Sequence, residues 1–167
     1  MDFKRKKLRD AELIVPPNKL RGKVGYGGID TVVLQKAQEL IEKNTGDFIP
    51  VAEMYLTALA ENISKAQKGD FENDEIAIEA LITPAMQLKG QGAMFNYPLI
   101  TEICSILVSF LEVVKKLDGD AFDAVLAHKM TLKAVISSRI ESDGGAQGRA
   151  LVDALKDACV RYFQNHR

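Results

Sequence analysis

From Ile29 onward, apolar residues recur three and four positions apart, interrupted only by short polar or glycine-bearing turns. That spacing is the period of a helix with one buried face. No segment alternates as a strand would, and the β-branched residues sit within helical spacing. The pattern predicts six helices. The first opens at Asp30 or Thr31, buries Val33, Ala37, Leu40 and Ile41, and stops at Asn44-Thr45-Gly46-Asp47. A second buries Phe48, Val51, Met54, Tyr55, Leu59 and Ile63 and ends at Lys68-Gly69-Asp70. The third begins near Glu72 to Asp74, where acidic residues suit the positive end of the helix dipole. It carries Ile76, Ile78, Leu81 and Ile82 up to Pro84, which removes a hydrogen bond and predicts a kink or a restart capped by Thr83.

Tyr97-Pro98 opens a fourth helix, whose Ile100, Ile103, Cys104, Leu107, Val108, Leu111 and Val114 predict nearly complete burial. A fifth runs from Ala121 to about Ile140 with Phe122, Val125, Leu126, Met130, Leu132, Val135 and Ile136, closed by Ser142-Asp143-Gly144-Gly145. The last spans about 146–164 and carries Leu151, Leu155, Cys159, Tyr162 and Phe163. Helices of about 15–22 residues joined by short turns build an all-α, up-and-down bundle. The expected organisation is a bundle over 29–167 behind an extended or partly disordered tail over 1–28. The tail holds the basic run Lys4 to Arg9, Pro16-Pro17 and four glycines.

Several function classes are argued against by composition. A formal net charge of −1 lacks the basic excess of a nucleic-acid binder. No apolar run reaches the roughly 18–20 residues of a membrane span, and no apolar segment of signal-peptide length follows the basic start. Cys104 and Cys159 lie in apolar helical patterns and read as buried free thiols of a reducing compartment, so the expected location is the cytoplasm. Zinc sites gather Cys and His at short spacing, and nothing here does; no phosphate-binding glycine loop occurs either. No metal or cofactor is expected.

One stretch stands apart: Ala85-Met86-Gln87-Leu88-Lys89-Gly90-Gln91-Gly92-Ala93-Met94-Phe95. On a helix, Met86, Lys89, Gly90 and Ala93 share a stripe. A lysine beside very small residues makes a shallow, positively edged landing place. The two glycines, each costing about 1 kcal/mol against alanine inside a helix, leave two readings open. They let a neighbouring helix pack closely, or they bare a surface for a partner.

Leu88-Lys89-Gly90, the small residues after it and Phe95 resemble the active-site helix of histidine-containing phosphotransfer (Hpt) domains, the relay bundles of bacterial two-component signalling. The run through Phe95-Asn96-Tyr97-Pro98-Leu99-Ile100, with Pro16-Pro17-Asn18-Lys19-Leu20 and Ala127-His128, is similar to stand-alone Hpt-like proteins of alphaproteobacteria. The resemblance covers most of the chain from about residue 14. It implies a four-helix bundle with additional helices, and as partners a response-regulator receiver domain and a histidine kinase. Three residues before Lys89 the family carries its phosphorylated histidine; this chain has Met86. A thioether has no basic nitrogen with which to attack a phosphoaspartate. Asn96 stands where the family usually has glycine.

The expected function is therefore docking without relay, through Ile82, Met86, Lys89, Gly90 and Ala93. Two alternatives stand beside it: phosphotransfer through another acceptor, His128 first, or a helical scaffold with no signalling chemistry. His166, the penultimate residue, is expected to be frayed.

Overall fold

A computed structural model describes residues 31–36 and 47–166. The chain divides into two compact units, Met1–Thr45 and Gly46–Arg167. The division falls after residue 45, whereas the sequence pattern placed it after residue 28. The expected tail over 1–28 lies outside the described residues. Within the first unit, residues 31–36 are helical and exposed, Val33 included, although the spacing predicted it buried.

In the second unit the described residues form helices α1 (Phe48–Lys68), α2 (Asp74–Met94), α3 (Pro98–Val113), α4 (Gly119–Ser137) and α5 (Gly145–Asn165), with no strand. Each helix packs on the next in sequence; α1 also meets α4, and α3 also meets α5. Four helices thus close an up-and-down bundle, and α5 lies along its α3–α4 side. The starts follow local chemistry. Asp47, Asn73 and Asp118 each accept a backbone N–H from the first turn of α1, α2 and α4, satisfying a donor that the helix itself leaves open. Pro98 needs no such partner, because its missing N–H is one that a first turn leaves unused.

The core is built around Leu59, Leu81, Leu88, Ile100, Ile103, Leu107, Leu111, Leu132 and Ile136, each almost free of solvent. Burying one such side chain contributes about 1.5–3 kcal/mol. The stripe on α1 is rotated from the expected one: Ile49, Ala52 and Leu56 are buried, while Met54 is exposed. Met130 on α4 is likewise exposed. Helix α4 stops at Ser137, short of the predicted Ile140, because Arg139 turns left-handed (φ 50°) and the Ile140 N–H bonds back to the Val135 carbonyl.

Helix α2 does not restart at Pro84: it runs as one helix from Asp74 to Met94 with Pro84 buried inside it. Proline lacks the N–H that would bond the Ala80 carbonyl four residues back. Asn62 of α1 supplies the missing donor: its Nδ2 gives a 2.7 Å hydrogen bond to the Ala80 oxygen. Thr83 is not a cap; its hydroxyl donates to the Glu79 carbonyl within the same helix.

Candidate docking face on α2

The segment expected to carry the site lies in the second half of α2, downstream of the bridged proline. Leu88 and Gly92 point inward; Met86, Gly90, Ala93 and Met94 are exposed, and Ile82 and Lys89 are half-buried. The five residues singled out by spacing thus lie on one partly to fully exposed stripe. Met86 is 54% exposed and Met94 77%. Methionine is among the residues most often found inside proteins, so two such side chains in the open mark an unusual surface. Phe95, at the end of the helix, is half-buried with its ring 5.6 Å from that of Phe48.

The two glycines serve different ends. A Cβ at Gly92 would meet Thr101 Oγ1 at 3.1 Å and Ile100 Cγ2 at 3.2 Å, so Gly92 lets α3 approach. A Cβ at Gly90 would meet nothing within 4 Å. The close-packing reading therefore holds for Gly92, while Gly90 lies on the exposed side of the helix. No packing among the described residues requires Gly90, which leaves bare backbone beside Met86.

Lys89 pairs with no carboxylate among the described residues. Its backbone carbonyl lies 3.4 Å from Thr101 Oγ1, which ties this turn of α2 to α3. Burial pushes the Cys104 thiol up to about 12, and the Lys89 charge pulls weakly the other way. Burial also raises the Cys159 thiol, to about 11. Both cysteines are free and stay protonated at neutral pH, so neither offers a thiolate nucleophile.

Asn96 stands where the resembled family usually has glycine, and its backbone suits either residue. It sits at φ 59°, in the left-handed region that glycine enters freely and asparagine tolerates best among residues with a side chain. The turn from α2 into α3 is thereby kept, and the Tyr97 N–H bonds the Gly92 carbonyl at 2.7 Å.

His128 does not share this face. It is completely buried within the bundle, and its Nδ1 donates to the Ala124 carbonyl at 2.8 Å. With the proton on Nδ1, Nε2 is left as a bare lone pair with no partner. Burial pushes its pKa down, opposed by the Ala124 hydrogen bond. A phosphorylated receiver would have to enter the core to reach it.

His166 was expected to fray, but it is held instead: Nδ1 lies 2.9 Å from the Tyr162 carbonyl and Nε2 3.2 Å from Asp118 Oδ2. Nothing local in the sequence pairs it with Asp118; only the packing of α5 on α4 does. No group of three or more His, Cys, Asp and Glu is placed to hold a metal among the described residues, and no helix there is long and apolar enough to cross a membrane.

Compared with known protein families, curated proteins and solved structures, the chain matches none of them.

Proposed function

We propose that this protein is a signalling adaptor: an Hpt-like bundle whose α2 face binds a response-regulator receiver domain without accepting phosphate. The observation that carries the reading is the open space at Gly90, on the same exposed stripe as Met86 and next to a lysine with no acidic partner among the described residues. A helix interior that keeps a glycine no neighbour requires forgoes about 1 kcal/mol of stability. An approaching partner backbone gives that bare patch a use. Met86 adds a flexible, polarisable side chain that adapts to a partner surface. Lys89 offers charge to an acidic pocket. The exposed Met86 and Met94 support docking over a plain scaffold, and the enclosure of His128 weighs against that residue as a substitute acceptor.

The test is phosphoryl transfer from a panel of phosphorylated receiver domains to wild type and to Met86→His, with binding measured alongside. The expected result is an unlabelled wild type and a labelled Met86→His. Acid-labile phosphate on the wild type would overturn the reading. Gly90→Ala separates docking from folding: it should raise stability by up to about 1 kcal/mol while weakening receiver binding. Lys89→Glu should abolish that binding. Receiver affinity unchanged by both substitutions would remove α2 as the contact surface.

A further inference from the structure

The end of α5 meets the start of α4 through an imidazole with acceptors on both sides. On one side His166 Nδ1 faces the Tyr162 carbonyl at 2.9 Å, and a carbonyl can only accept. On the other, Nε2 faces Asp118 Oδ2 at 3.2 Å and Asp120 Oδ2 at 3.8 Å. A neutral imidazole carries one N–H and one lone pair, so it satisfies only one of these sides. The doubly protonated ring satisfies both. Its ring also stacks on Tyr162, with centroids 4.3 Å apart and planes 16° from parallel, an arrangement that favours a cation. Positive charge is favoured again by position, at the carbonyl end of α5 and beside carboxylates at the amino end of α4.

We propose that His166 is a proton-operated clasp between α5 and α4, closed when the ring holds two protons and loosened when it gives one to solvent. Loss of either proton turns a lone pair toward an acceptor oxygen. The charged groups around the ring come from both helices and the loop before α4. Asp118 and Asp120 lie on the α4 side, and no lysine or arginine pairs with either among the described residues. Lys116 presents its backbone carbonyl, 3.4 Å from the Tyr162 hydroxyl. Tyr162 lies under the ring, while Asp123 and Arg161 line the adjoining depression. Asp118 is the hub: Oδ1 caps α4 at the Ala121 N–H, and Oδ2 receives Nε2 and, at 3.5 Å, the Tyr162 hydroxyl. Tyr162 packs edge-on against Phe110, and Phe110 with Phe163 lines the apolar groove between α3 and α5. The clasp therefore anchors one wall of that groove.

Amide hydrogen exchange followed by NMR tests this on the whole chain, with rates corrected for their intrinsic pH dependence. From pH 8 to pH 6, protection of the amides over 160–165 should rise about two- to tenfold, while that over 150–155 stays level. His166→Gln should flatten the response. Asp118→Asn should flatten it as well, because asparagine still caps α4 but presents no charge. A wild-type response that is flat, or one that persists undiminished in His166→Gln, would overturn the clasp. Both ring nitrogens should also carry protons at pH 6 by nitrogen-15 shift; a single protonated nitrogen there would overturn it independently.

Discussion

Each of the two histidines holds the carbonyl four residues behind it through Nδ1, yet the two face opposite demands. At His166 the second nitrogen meets a carboxylate; at His128 it has no hydrogen-bond partner among the described residues. Burial holds His128 neutral in the folded protein. In the unfolded chain the same ring takes up a proton near its ordinary pKa of about 6.5. Below that pH the unfolded state binds more protons than the folded one, so stability declines as pH falls. The decline begins around 6.5 and ends once pH passes the depressed folded value. A single proton sets its slope at no more than about 1.4 kcal/mol per pH unit. Urea midpoints between pH 7.5 and 5, taken in a His166→Gln background so that only one imidazole titrates, should show this loss. His128→Leu should lessen it; an equal loss in that variant would assign the acid sensitivity elsewhere.

Among the helices, α3 was the most legible, because Ile100, Ile103, Cys104, Leu107, Val108 and Leu111 are all buried as spacing required. Helix α1 was harder. Met54 and Ala52 lie about 200° apart around the helix, and spacing favoured the larger residue while packing buried the smaller. Helix α2 defied a rule rather than a pattern. The cost of Pro84 is real, but its remedy comes from Asn62, on another helix and invisible until the α1–α2 register is known. That account predicts a coupling. Asn62→Ala strands the Ala80 carbonyl and should cost about 1–3 kcal/mol. In a Pro84→Ala background the restored N–H can serve that carbonyl, so Asn62→Ala should cost much less. A denaturation double-mutant cycle measures the difference, and additive effects would refute the bridge. That Ile82, Met86, Lys89, Gly90 and Ala93 share one partly to fully exposed stripe was readable from three- and four-residue spacing. The division of labour between Gly90 and Gly92 was not, because it depends on where Thr101 and Ile100 of α3 come to rest.

For the whole molecule, the described core residues, from Phe48 to Tyr162, all belong to the unit that begins at Gly46. A chain of residues 46–167 should therefore fold unaided, with a single cooperative transition and the full chain's midpoint by circular dichroism. A broad or strongly shifted transition would mean that the first unit contributes to the core. The overall architecture was accessible from periodicity and turn residues; the division between units was not, since Asn44-Thr45-Gly46-Asp47 reads as one more short turn among several. The bond from Asn62 to Ala80 acts at this scale too. Helices joined only by apolar side chains can slip past one another by a turn, since one methyl resembles the next. A directional bond to a single backbone oxygen removes that freedom and sets the sliding coordinate of the α1–α2 hairpin at one value. The Met86 surface, about two to four turns further along α2, is thereby presented at a constant height. A visitor landing there surrenders its own motion on binding but need not first arrest that of its host, which makes the encounter entropically cheaper.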